Sequence, residues 1–171
     1  GTNLERNLYL TLLLAELGSA HLGQGQLFDI VGGHSLGRPD EALAAFAAAE
    51  AVYRRLVENP PADDPHPLAN RHQLGTIAGA RMLVCMKHGR LEEALVHGER
   101  ALGHRRDVLA REPGNVGFRN ALAIEAKNLA TVYLEIGQPA RALALSSEAH
   151  AARQRLVDDD PGLAPARREL H

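Results

Sequence analysis

In "FRNALAIEAKNLATVYLEIG", residues 118–137, the large apolar side chains fall at Leu122, Leu129, Val132, Tyr133 and Ile136. They recur at three- and four-residue steps, so the stretch predicts an amphipathic helix with one apolar stripe. Gly137 closes it, as expected at a helix C′ position that needs a left-handed backbone. Pro139 follows, just inside a second helix where a missing N–H costs nothing. Pro39 stands in the same relation to the alanine-rich run "DEALAAFAAAEAVYRRL".

The helix pair recurs along the chain. "GRPDEALAAFAAAEAVYRRLVENPP", "GRLEEALVHGERALGHRRDVLAREPG" and "GQPARALALSSEAHAARQRLVDDDPG" each open on Gly and reach an Ala-Leu pair five residues later. Each closes on Pro after an acidic or polar run. The alanines are Ala42, Ala94 and Ala142; the prolines are Pro60, Pro113 and Pro161. A second set of markers, Arg71, Arg119 and Arg167, is spaced by 48 residues, as are Leu74, Leu122 and Leu170. Two independent markers at one spacing define a repeat of about 48 residues whose units read as two helices each. A small side chain at Ala42, Ala94 and Ala142 would let two helix backbones approach closely. The units run over about 3–60, with an insertion at 26–37, then about 66–113 and about 115–161. The tail 163–171 reads as the start of a further helix.

Composition agrees. Hydrophobic residues are 45% and charged residues 23%, while aromatics are 4% with no Trp, a poor fit to a β-sandwich or barrel. A net charge of −2 supplies no bulk field for nucleic acid or an anionic membrane. Cys85, the single cysteine, excludes an internal disulfide and a cysteine-based zinc site. No apolar run approaches the ~18 residues of a membrane span. The first residue is Gly1 rather than Met, which points to a processed or partial chain and makes the absence of a signal peptide weak evidence about compartment. A cytoplasmic location is expected.

These residues resemble the tetratricopeptide repeat, whose pattern sets Leu then Gly or Ala along the first helix and a large residue three further on. Gly marks the turn, two Ala seven apart line the second helix, and Pro closes the unit. The third unit carries Leu129, Ala130, Tyr133, Gly137, Ala142, Ala149 and Pro161. The second carries Arg81, Met82, Cys85, Gly89, Ala94, Ala101 and Pro113, departing from the pattern at Arg81. The first carries Leu17, Gly18, His21, Gly37, Ala42, Ala49 and Pro60. The period is longer than the family's usual one, and the cadence of "ARRELH" and "FRNALA" looks like long repeats that follow the kinase domain in some bacterial serine/threonine kinases. The resemblance implies an all-α, right-handed superhelical solenoid of three antiparallel helix pairs plus a short C-terminal helix. It also implies a concave groove lined by the first helices: Ala15, Ser19 and Leu22; Gly79, Leu83, Met86 and Lys87; Lys127, Thr131, Leu134 and Glu135.

The chemistry-bearing residues are weighed against that frame. "GQGQLFDIVGGHSLGRPDEAL" is glycine-rich, but no Lys follows its glycines and its flanks are helical, against a phosphate-binding loop. A surface loop is favoured, with Leu27, Phe28 and Ile30 packing on the helices; a ligand-contacting loop using His34 and Ser35 is the alternative. Nine histidines form no His-x-x-x-His pair, and His97 and His104 are seven apart, so no metal is expected. Cys85 is expected as an inert buried thiol. The runs "YRR", "GHRRD" and "ARQR" read as solvated helix faces, and Arg71, Arg119 and Arg167 as inter-helix ion pairs or packed stems. The expected function is non-catalytic protein–protein interaction, with a peptide or partner helix in the groove. Such a module would be the regulatory or scaffolding part of a larger bacterial signalling protein, with no cofactor, nucleic acid or membrane partner. The alternatives are a small-ligand or enzymatic domain using residues 26–37, and a self-associating solenoid.

Overall fold

The structure is a computed structural model and describes residues 39–60, 64 and 67–159. Five α-helices account for nearly all of them: α1 (Pro39–Glu58), α2 (Pro67–Lys87), α3 (Leu91–Arg111), α4 (Val116–Glu135) and α5 (Pro139–Asp159). No strand occurs among the described residues, so the all-α expectation holds for them. The first helix of the first unit, the insertion at 26–37 and the helix start at 163–171 lie outside the described residues.

The ends of the helices follow from local chemistry. Prolines 39, 67 and 139 each occupy the first helical position, where the chain needs no N–H donor. Asp40 and Glu41 sit in the first turn of α1 and Glu92 and Glu93 in that of α3, complementing the positive end of the helix dipole. Asn115 caps α4: its Oδ1 accepts from the Phe118 N–H at 3.0 Å. Gly89 and Gly137 end α2 and α4 in the left-handed region, at φ 70° and 75°. The hydrogen bonds there are the same two. Arg90 N–H donates to Cys85 O at 2.9 Å and Gly89 N–H to Met86 O at 3.1 Å; Gln138 donates to Tyr133 O at 2.8 Å and Gly137 to Leu134 O at 3.0 Å. Each residue of one turn has its counterpart 48 positions away in the other, so the repeat read from the sequence is also a repeat of backbone geometry.

Two compact units divide the chain, residues 1–104 and 105–171, with the boundary inside α3. In the first, α1 and α2 pack together. Ala42, Phe46, Ala49 and Tyr53 of α1 share a core with Leu74, Ile77, Ala80 and Val84 of α2, and Leu43, Leu56 and Val57 pack against it. In the second, α4 and α5 pack together, and Leu122, Leu129, Val132 and Tyr133 are buried along with Ala142, Leu145, Ala149 and Ala152. One apolar stripe was expected on each first helix. Burial goes further round than that: Gln73 through Ala80 are buried without a break on α2, and Ala121, Ala123, Ala126 and Ala130 add to the leucines of α4. Alanine and glycine make the helix thin enough to be enclosed on more than one side. The marker alanines behave as expected, at 2%, 0% and 2% exposure for Ala42, Ala94 and Ala142.

The solvated-face reading of "GHRRD" fails at Arg105, whose side chain is fully buried. Its Nε lies 3.8 Å from Oε2 of Glu125 on α4, itself buried. That separation is an ion pair without a hydrogen bond. Glu125 Oε1 accepts no hydrogen bond. Burial pushes the Glu125 carboxyl up to about 7, against the opposing pull of Arg105. Arg106, next in sequence, does face outward and holds Glu148 of α5 by two bonds of 2.9 and 2.6 Å.

Replacing Ala94 or Ala142 by Leu is expected to destabilise the protein by about 1–3 kcal/mol, since extra methylenes have no room at a fully buried site. Urea denaturation checks this, and two variants with wild-type midpoints would contradict the close helix contact. Glu125 gives a pH dependence. The folded protein holds its proton where the unfolded chain, at 4.5, has lost it, so the folded state binds more protons between those values. Stability from this group is therefore greatest below pH 4.5 and falls as pH rises towards 7, by on the order of 3 kcal/mol. Glu125→Gln mimics the protonated form. Its stability relative to wild type should rise between pH 5 and 8, and parallel stability curves for the two proteins would show that Glu125 is ionised throughout.

Candidate functional site

Near its C-terminal end α2 places Leu83 and Met86 half-buried and Lys87 exposed. On α4, Lys127, Thr131 and Leu134 are exposed, and Leu134 is 59% exposed, unusual for a leucine on a packed helix. Leu83 matches Thr131, and Met86 matches Leu134, at the repeat spacing of 48. The tight turns explain the register. Each helix unwinds at its glycine, and Met86 and Leu134 both offer their carbonyls to the turn, while the residues before them, Cys85 and Tyr133, are buried. Gly79, the position matching Lys127, is buried, so that residue does not belong with the accessible ones. Thr131 turns its hydroxyl back to Lys127 O at 3.4 Å. Ala15, Ser19 and Leu22 lie outside the described residues.

A polar cluster that sequence reasoning missed sits among the helices of the first unit. Glu50 of α1, nearly buried, is bonded by Arg81 of α2 and by Arg54 one turn along its own helix. Arg100 of α3 comes within 3.8 Å. Burial alone would push the Glu50 carboxyl up; the charges and hydrogen bonds of Arg81 and Arg54 outweigh it and hold the carboxyl below its ordinary value. His97 of α3 is buried nearby, and burial, with the charges of Arg81 and Arg100, keeps its pKa down against Glu50 and Glu93. The signal was present. Arg81 stands where the repeat pattern wants Leu, and Glu50 is a lone charge within an alanine-rich face. An arginine at a position the pattern reserves for a core leucine needs a carboxylate, and Glu50 on the preceding helix supplies it.

The remaining candidates fall to structural roles. Arg119 is buried, and its Nη2 donates to Pro113 O at 2.6 Å, tying the start of α4 to the preceding turn. This is the packed-stem role expected of the repeated arginines, with a backbone carbonyl as the partner. Arg71 is half-buried, and Arg167 lies outside the described residues. Cys85 is buried and its thiol is pushed up by burial, then by the Glu93 charge, which fits an unreactive thiol. No group of His, Cys, Asp or Glu among the described residues is arranged to hold a metal ion. Of the basic runs, Arg54, Arg55, Arg153 and Arg155 are exposed as expected. No helix among the described residues is long and apolar enough to cross a membrane.

The accessible side chains at matched places are thus Met86 and Leu134, flanked by Lys87 and by Lys127 and Thr131. Comparison with known families, with curated proteins and with solved structures finds no match.

Proposed function

We propose that the chain is a non-catalytic protein-interaction module of the tetratricopeptide type, its helix pairs stacking as a right-handed solenoid, and that it binds a peptide or partner helix through its first helices. The observation that carries this reading is the pair Met86 and Leu134. Both are large apolar side chains at one place in the repeat, and both are left accessible to solvent beside lysine or threonine. A surface that combines apolar anchors with a polar rim favours an extended or helical segment over a small polar ligand. Lys87 adjoins Met86 on α2, and Lys127 and Thr131 lie within two turns of Leu134 on α4, with Glu135 next to it, so each anchor has polar neighbours on its own helix. A place within a larger bacterial signalling protein, as regulator or scaffold, is part of the same reading.

The test is selection from a random peptide library displayed on phage, followed by binding of the selected peptides to Leu134→Asp and Met86→Asp. Both substitutions should lower affinity by roughly tenfold or more, the usual weight of a central apolar anchor. Leu134→Asp should leave the melting temperature within a few degrees of wild type, because an exposed leucine contributes little packing. Peptides that bind both folded variants as tightly as wild type would remove the first helices from the interface.

A further inference from the structure

The polar cluster of the first unit stands where the repeat elsewhere places hydrocarbon. Counted from the matching alanines Ala42, Ala94 and Ala142, Glu50 corresponds to Leu102 and His97 to Leu145; at the spacing of 48, Arg81 corresponds to Leu129. All three leucines are buried. The same three positions thus take a carboxylate, an imidazole and a guanidinium in one register and leucine in the next, although a leucine set would enclose no charge. A local departure of this kind, with no gain in packing to explain it, marks a place where polar chemistry is used.

The charges do not cancel within the cluster. Three arginines, Arg54, Arg81 and Arg100, approach the single carboxylate of Glu50. Arg81 bonds Oε2 and Arg54 bonds Oε1, while Arg100 comes only to 3.8 Å of Oε1, too far for a hydrogen bond. Glu93, exposed on α3, offsets part of the excess. Arg81 Nε and His97 Nδ1 are buried with no hydrogen-bond partner, and His97 is only 8% exposed. The outer pair locates the excess: the side chains of Arg54 and Arg100 are 56% and 54% exposed, and both approach the same oxygen of Glu50. Their counterparts in the next register are Arg106 and Glu148, and there the carboxylate takes the arginine by two bonds of 2.9 and 2.6 Å. Where α5 offers an anion to its arginine, α3 offers Arg54 a second arginine. Two guanidinium forks that converge on one place suit an anion with several oxygens, each fork taking two of them. We propose that Arg54 and Arg100, backed by Arg81 and His97, bind a phosphate group, with Glu50 as the positioning residue that holds Arg54 and Arg81. Phosphate fits better than a carboxylate, because its oxygens serve both forks at once and its second charge matches the second uncompensated guanidinium. The site uses none of the residues assigned to peptide binding, so the two can be tested apart.

Two probes are titrated separately into the isotope-labelled full chain and followed by NMR: inorganic phosphate, and a capped glycine-phosphoserine-glycine peptide. The titrations run at about pH 8, where the phosphate is doubly charged, with chloride exchanged to hold the ionic strength constant. Saturable shifts of amides around Arg54 and Arg100 are expected. Equal saturation by both probes identifies free phosphate as a sufficient ligand, and saturation by the peptide alone identifies a phosphate ester; either result supports the site. Arg100→Gln should weaken binding about tenfold or more, while Arg55→Gln, at the exposed neighbour of Arg54, should change it less than about twofold. Arg100→Glu recreates the pairing of Arg106 with Glu148. It should therefore abolish binding while melting, in chloride, at or above the wild-type temperature. The saturating probe should raise the melting temperature of wild type and leave that of Arg100→Glu unmoved. Absence of saturation by either probe, equal weakening by Arg55→Gln and Arg100→Gln, or the same probe-induced rise in melting temperature for Arg100→Glu and wild type would overturn the proposal.

Discussion

The arrangement depends on a chain reversal made in the space of one glycine. At Gly89 and Gly137 the backbone enters the left-handed region that other residues reach only at a cost, and two hydrogen bonds close the end of the helix behind it. So short a turn leaves no slack. The next helix must begin beside the last one, and whatever faces the contact must be small. Ala94 and Ala142 follow five residues after their glycines and are buried, and so are Ala101 and Ala149 a further two turns along. Leucine at these places would force the helices apart and strain the turn that joins them.

That dependence explains what could be read in the sequence. Gly89, Gly137, Pro39, Pro139 and the alanines were legible because each answers to a local steric rule, and steric rules leave one residue type per place. The buried leucines of α4 followed from helical periodicity, and Cys85 from the repeat pattern of the second unit. The enclosed charges did not. Arginine among acids reads as a solvated face, and only the neighbouring helix decides whether Arg105 is outside or inside. Gly79 was misplaced for a related reason, since the pattern assigns it to the face that Lys127 occupies, and a residue without a side chain cannot announce which face it takes. Leu134 and Met86 were placed by family pattern, and their exposure is a property of the fold that periodicity alone would have assigned to the core.

The two enclosed carboxylates show how geometry sets the sign of an electrostatic contribution. Both lose water. Glu50 gains hydrogen bonds from Arg81 and Arg54, which offset the loss and lower its pKa. Its contribution to stability is therefore present above the ordinary carboxylate value and is lost as pH falls through the folded one. Glu125 has an arginine at ion-pair distance but receives no hydrogen bond on Oε1, and desolvation prevails. Its ionised form weakens the fold. Charge proximity is thus insufficient; donors in contact with both oxygens make the difference.

A purely aliphatic packing between successive helices would tolerate sliding by one turn, because alanines and leucines at three- and four-residue steps look alike after such a shift. The polar contacts do not. Moving α2 along α1 by a turn would separate Arg81 from Glu50, and moving α4 along α3 would leave Glu125 and Arg105 buried without each other. The second shift strands the fully buried Arg105 at a cost of several kcal/mol, and the first removes one of the two arginines bonded to Glu50. The first contact uses a hydrogen-bonded pair and the second a longer one, with different residues at matching places, so neither helix can substitute well for the other. A chain whose helix pairs share their turns and small contact residues has to distinguish its own interfaces, and the enclosed charges, a poor source of stability for Glu125, are a direct means of doing so.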